Sequence, residues 1–326
     1  MHEPKRIILC RLGGIGDVMH TLPLVKYLKN CYKQASVEYI TSSYIAQLLK
    51  VSCSYLDKVW SFNKKEKAKI AKDILSNGVK VDYIFNLHTS SSFFFFNFLY
   101  IRAKKLFQYK KDNSVHAVVN FAKTFDPNLS GLYLDSKVLS MDQDSAILTS
   151  HGLNANKYIC IVPGVGKVRP HRAWSIENWL SLSKKLSYYE KNLKIVFLGG
   201  KSELDLIDDF SGFGDRAINL IGKLDLTETA KVILSSAYLI SCDTGLLHLA
   251  SALSKKVIGL YGPTLPQRSG PFTGDYQVFV AKDCKCLGGF FDVKKCKKTS
   301  EANGYCMNSL DVNQIVSALS CKILVN

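Results

Sequence analysis

RIILCRLGGIGD, residues 6–17, decides the fold. The apolar run Arg6–Leu12 has strand length, and a helical pattern follows from about Val18 to Asn30. Gly13-Gly14-Ile15-Gly16-Asp17 forms the turn between them. An unbroken apolar strand is what a sheet covered on both faces requires. Moving outward, Ser36–Thr41 reads as a second strand and Tyr44–Val51 as a helix. Lys58–Phe62 reads as a short strand, Lys64–Asn77 as a basic helix and Val81–Leu87 as a further strand. Alternating strands and helices imply a parallel sheet with right-handed crossovers.

The stretch Asp126–Asn156 is less regular, and the domain junction is placed near its end. The pattern then restarts. Strands are expected at Tyr158–Val162, Leu193–Leu198, Ala217–Leu220, Tyr238–Ser241 and Lys256–Tyr261. Helices are expected at Ser175–Leu186, Glu203–Phe210, Asp225–Ser235 (Thr227 as cap), Gly245–Leu253 and Asp311–Leu324. The expected fold is α/β: two Rossmann-like domains with parallel sheets facing across a cleft, residues 1–155 and 156–310, followed by a C-terminal helix over 311–326.

The net charge of +16, from 43 Lys and Arg against 27 Asp and Glu, favours anionic partners. No recognised nucleic-acid module organises that charge, so nucleic acid is not an expected partner. The chain shows no secretory signal and no apolar stretch of bilayer-spanning length. A cytoplasmic protein is expected, with the inner face of the cytoplasmic membrane as a docking surface. Phe93–Phe96, next to Ser90–Ser92, reads as a buried helix rather than a lipid contact.

Three loops carry chemistry. Gly13, Gly14 and Gly16 let backbone amides approach a ligand, and Asp17 stands at the carboxyl edge of the first strand, where such folds place their sites. The full dinucleotide spacing is missing, and Thr41-Ser42-Ser43 follows the second strand in place of a ribose-binding acid. In Ile240–Ala250, Asp243 or Thr244 can cap the next helix, the amides near Gly245 and Leu246 can receive a phosphate, and His248 can reach the same anion. Pro163–Trp174 combines glycines with Lys167, Arg169 and Arg172, which suits a diphosphate. Asp142-Gln143-Asp144 reads as a solvated acidic patch.

RLGGIGDV (residues 11–18) with Pro23 after it, DTGLLHLA (243–250) and YGPT (261–264) resemble glycosyltransferase family 9. FLGG (197–200), NLIGK (219–223) and Arg172-Ala173-Trp174 fall in the family's order. The resemblance implies a GT-B fold and an inverting, metal-independent transfer of heptose from ADP-heptose to a lipopolysaccharide or lipooligosaccharide inner core. It implies Asp17 as general base, and Arg172, Gly222, Asp243, Thr244, Gly245, Leu246 and His248 as the donor site. No cofactor is required on that reading. The partners are the nucleotide-sugar donor, a phosphorylated lipid-linked oligosaccharide acceptor and the inner-leaflet membrane surface. Arg172 stands where the family often has Lys, which leaves the donor sugar open. A hexose or N-acetylhexosamine nucleotide, or a non-catalytic nucleotide-sugar or polyanion binder, are the alternatives. Cys284, Cys286, Cys296 and Cys306 leave open a structural zinc, a labile disulfide or free thiols, because their spacing is not that of a zinc ribbon.

Overall fold

The computed structural model describes residues 3–76, 80–89, 103–131, 134–135, 137–189, 192–206, 208–272, 275–282 and 305–323. It divides into two compact units, Met1–Met141 and Asp142–Asn326.

In the first unit the strands are β1 (Arg6–Cys10), β2 (Ser36–Ser42), β3 (Lys58–Phe62), β4 (Tyr83–Asn86) and β5 (Lys105–Gln108). Every pairing is parallel, and the order is β3-β2-β1-β4-β5. Helices α1 (Ile15–Cys31), α2 (Ser43–Ser52), α3 (Lys67–Ser76) and α4 (Ala117–Ala122) accompany this sheet. All five residues of β1 are buried, as its apolar run requires. At the amino end of the sheet, Arg6 donates to both Glu38 carboxylate oxygens (2.6 and 3.1 Å), and the Trp60 indole donates to Glu38 Oε2 at 2.6 Å. Arg6 and Glu38 are both buried, so each is the other's compensation for lost hydration.

The second unit holds β6 (Tyr158–Val162), β7 (Lys194–Phe197), β8 (Ala217–Asn219), β9 (Tyr238–Cys242), β10 (Val257–Tyr261) and β11 (Tyr276–Val280). These are again parallel, in the order β11-β10-β9-β6-β7-β8. Its helices are α5 (Ser145–Ser150), α6 (Ile176–Tyr189), α7 (Leu226–Ser235), α8 (Gly245–Ala252), α9 (Pro266–Ser269) and α10 (Val312–Ile323). Trp179, Leu182 and Leu186 of α6 share one core with Phe197, Ile240 and Leu260 of the sheet and Ile315 and Leu319 of α10. The C-terminal helix therefore belongs to this unit's core.

Two parallel α/β units agree with the expected fold class. Several boundaries differ. The units part at Met141/Asp142 rather than near residue 155. The reason lies in Asp144: Asp142 and Gln143 are exposed, as expected of a solvated patch, but the partly exposed Asp144 carboxylate also caps α5 through the Ala146 and Ile147 amides and pairs with Lys231 of α7 at 2.8 Å. The segment after it is thereby tied to the second unit. Asp225, not Thr227, caps α7, because Asp225 and Glu228 form a reciprocal capping box. The helix expected at Glu203–Phe210 is instead two 3-10 segments, Lys201–Leu206 and Asp208–Arg216. The sequence reading leaves the edge strands β5 and β11 unassigned; β5 (KLFQ) is short and half polar, whereas β11 (YQVFV) is apolar but only partly buried at the sheet's edge. Among the described residues, no helix is long and apolar enough to cross a membrane. Phe93–Phe96 lies outside the described residues.

Candidate functional site

Strand order places two sites before any side chain is considered. In an open parallel sheet, ligands bind beyond the carboxyl ends of the strands, where the order reverses. The reversal in the first unit lies between β1 and β4, and in the second between β6 and β9.

The first unit brings Asp17 to its reversal point. Gly14 is the N-cap of α1, and Asp17 lies in the helix's first turn. Arg11, just past β1, donates from Nη2 to Asp17 Oδ2 at 2.6 Å and from Nη1 to the Leu87 carbonyl, past β4, at 2.6 Å. The Arg11 side chain is only 14% exposed, whereas that of Asp17 is 50% exposed. Gly13 has a steric role: a Cβ there would lie 2.9 Å from Asp17 Oδ2 and 3.0 Å from Arg11 Nε. Gly14 meets nothing comparable, and Gly16 lies within the first turn of α1. His88 Nε2 accepts the Leu12 N–H at 3.0 Å. Burial, and then the Arg11 charge, push the His88 imidazole down to about 4, so the ring is neutral and free to accept.

The second unit gathers Arg172, Asp243 and His248 around one buried carboxylate. Arg172 arrives from the loop after β6, on a 3-10 turn at Pro170–Arg172, and Asp243 directly follows β9. Arg172 Nη1 lies 3.0 Å from Asp243 Oδ2 and donates to the Asp243 carbonyl at 3.0 Å. His248, on the first turn of α8, donates from Nε2 to Asp243 Oδ1 at 3.0 Å, and Ser269 Oγ donates to Oδ2 at 3.3 Å. Burial alone would raise the Asp243 carboxyl. The His248 hydrogen bond and the Arg172 charge outweigh it and hold the group well below the usual carboxylate range. Thr244 caps α8 by accepting from the Leu247 amide at 3.4 Å, and its hydroxyl meets Ser241 Oγ at 2.8 Å. Gly245 and Leu246 open α8, where amides lack intrahelical partners and the helix favours negative charge.

Gly222 follows β8 at φ +71°, in the left-handed region. Its amide donates to the Gly199 carbonyl at 3.0 Å, and a Cβ there would meet Leu204 at 2.6 Å. Gly222 shapes a turn, and the same turn system is held by Glu203. That carboxylate accepts from the Gly166 amide (3.0 Å) and the Gly200 amide (2.6 Å).

The sequence assigned no role to Arg11, His88, Glu203 or Ser269. Only Glu203 carries a local signal, an acid three residues after a glycine pair whose amides need acceptors. Arg11 and His88 meet through β1–β4 pairing, which sequence spacing does not reveal. Among the described residues, no group of three or more His, Cys, Asp or Glu could hold a metal ion. Cys306, in the 3-10 turn Tyr305–Ser309, is described; Cys284, Cys286 and Cys296 lie outside the described residues.

Comparison with known proteins adds to this geometry. A family model, "Glycosyltransferase family 9 (heptosyltransferase)", matches residues 98–299, more than half of the chain. The match includes the Arg172–Asp243–His248 assembly and begins after Asp17. Lipooligosaccharide heptosyltransferase 2 of Haemophilus ducreyi is 27% identical over 150 residues, 44% of this chain and 40% of that protein's own length. A glycosyl transferase family 9 structure from Veillonella parvula superposes with a TM-score of 0.83 at 19% identity, covering 100% of this chain and 99% of the other. The E. coli ADP-heptose lps heptosyltransferase II structure gives a TM-score of 0.77 at 16% identity, with 98% of each chain covered. At such identities these structures establish the two-domain GT-B architecture.

Proposed function

The chain belongs to glycosyltransferase family 9, and on that premise we propose that it transfers a heptose from ADP-heptose to a lipopolysaccharide or lipooligosaccharide inner core, with inversion. The observation that carries this reading is the Arg172–Asp243–His248 assembly at the strand-order reversal of a unit matched by the family. The relatives named above supply the donor and acceptor class.

In the proposed reaction the acceptor hydroxyl attacks the anomeric carbon from the face opposite the diphosphate. Its proton passes to Asp17, the new C–O bond forms, and the bond to the diphosphate oxygen breaks with its electron pair leaving on ADP. A single displacement inverts the centre. The leaving group gains charge as the bond breaks, so it needs fixed positive groups. The Arg172 guanidinium and the partial positive charge of the Gly245 and Leu246 amides at the start of α8 supply them, with His248 beside them as a hydrogen-bonding group. Asp243 carries a negative charge and would repel a diphosphate. Its part is to hold Arg172 and His248 in place, with Thr244 fixing the helix start and Gly222 the neighbouring turn. The units 1–141 and 142–326 are assigned to acceptor and donor respectively. No metal is invoked in this step. The chain's net charge of +16 suits docking on an anionic, phosphorylated lipid surface in the cytoplasm.

Turnover of ADP-heptose with a deacylated core acceptor tests the reading. The wild type is expected to be active, and Asp17→Asn to lose roughly 10²–10⁴-fold in kcat, the range for a general base. A silent wild type that turns over a hexose or N-acetylhexosamine nucleotide would reassign the donor, and full activity in Asp17→Asn would remove Asp17 as base.

A further inference from the structure

We propose that Arg11 and His88 are positioning residues for Asp17, acting from the ends of β1 and β4 to present one oxygen of its carboxylate to the acceptor. The inference rests on the reading of Asp17 as base.

The case is geometric. A half-exposed carboxylate on the first turn of a helix would ordinarily sample several rotamers. Here Oδ2 is held at 2.6 Å by the Arg11 guanidinium. The guanidinium is itself fixed: its other terminal nitrogen is spent on the Leu87 carbonyl at 2.6 Å, and the Phe121 ring lies 5.6 Å from its central carbon. A planar fork with both arms engaged has one orientation, which a lysine could not reproduce. Oδ2 is therefore the anchored oxygen, and Oδ1 is the one the reading gives to the incoming hydroxyl.

His88 fixes the backbone from which Arg11 reaches. Its ring takes the Leu12 amide, one residue beyond Arg11, and so pins the strand-to-turn junction. The His88 backbone is held in turn. Asn86 Oδ1 accepts the His88 amide at 3.2 Å, and Gln108 Nε2 donates to the His88 carbonyl at 2.7 Å. Asn86 Nδ2 closes the ring of contacts by donating to Gln108 Oε1 at 2.8 Å. The ends of β4 and β5 thus grip the end of β1. Gly13 completes the arrangement, since a side chain there would push the Arg11–Asp17 pair apart.

A positioning role differs from a merely structural one in what it costs. Loss of orientation lowers kcat and leaves donor affinity alone, because the proposed donor groups lie in the other unit. Arg11→Met is expected to lower kcat roughly 10²-fold, the scale of a misplaced catalytic group, with the ADP-heptose KM within about twofold of wild type. Arg11→Lys keeps the charge but not the fork and should recover only part of the loss. His88→Leu is expected to cost about tenfold in kcat. His88→Gln, which retains an acceptor for the Leu12 amide, should return to within about threefold. Thermal melting checks that each variant is folded, and Arg11→Lys and His88→Gln carry the test if a harsher change unfolds the unit. Unchanged kcat in folded Arg11→Met and His88→Leu, beside an inactive Asp17→Asn, overturns this inference alone. A change confined to KM overturns it as well. A wild type silent on every nucleotide sugar overturns the transferase reading, and this inference with it.

Discussion

Replacing Asp243 with alanine should expose how much of the second unit depends on one carboxylate. In the native structure Asp243 Oδ2 faces Arg172 at 3.0 Å and Ser269 at 3.3 Å, while Oδ1 takes the His248 hydrogen at 3.0 Å. All three of Arg172, Asp243 and His248 are buried. Alanine would remove the carboxylate that faces the buried guanidinium and leave the residue-243 carbonyl as its contact there. Breaking a buried ion pair from one side costs about 3–5 kcal/mol, most of it the penalty of the orphaned charge. For a unit of this size each kcal/mol moves the melting temperature by about 2–4 °C, so the second unit should melt roughly 6–20 °C lower. Differential scanning calorimetry on the whole chain reads this as a shift confined to one transition. Arg172→Met/Asp243→Ala should cost clearly less than the two single changes added together, because neither charge is then stranded. The native carboxyl is held below its unfolded value, so its contribution is present above the ordinary carboxylate pKa of about 3.9 and lost as pH falls through the folded value. A loss under about 1 kcal/mol in Asp243→Ala, with the double mutant simply additive, would refute the picture of Asp243 as the residue that holds Arg172 and His248.

Two further predictions concern the first unit. Glu38→Ala, which removes the carboxylate facing buried Arg6 and the acceptor of the Trp60 indole, should destabilise this unit by about 3–5 kcal/mol in urea unfolding; Arg6→Met/Glu38→Leu should be milder than either single change. His88 is held down to about 4, below its unfolded value near 6.5, so the unfolded chain takes up its proton first as pH falls. Its contribution is full above about 6.5 and is lost between about 6.5 and 4, amounting to about 2 kcal/mol once partial exposure is discounted. His88→Gln should flatten the stability–pH curve over that window, and an unchanged curve would count against the neutral, accepting imidazole.

The reading of RIILCRLGGIGD shows what local sequence can decide. A short, largely apolar run before a glycine-rich turn reads as a buried strand, and the helical pattern after the turn makes it the first unit of a parallel sheet. That reasoning reached the fold class, most interior strands and helices, and the strand-to-helix junctions at which Asp17, Arg172, Thr244, Gly245 and His248 lie. It stopped where partners are distant in sequence. Asp144 is a partly solvated acid, and its second role as partner of Lys231 of α7, 87 residues away, has no local signal. Edge strand β5 escaped because its four residues are half polar; β11 (YQVFV) carries an apolar run that the reading did not use.

The sequence by itself determined which residue types stand at the carboxyl ends of the strands, because strand, turn and helix follow from patterns a few residues long. Only the tertiary structure decided what those residues do to one another. Strand order brought Leu87 to Arg11 and His88 to Leu12, each across 76 residues, and Arg172 to Asp243 across 71. Those pairings set which carboxylate oxygen is anchored, which histidine nitrogen carries a hydrogen and which charges are buried. Hydrogen bonding and desolvation depend on distance in space, and sequence spacing fixes that distance only within a single element.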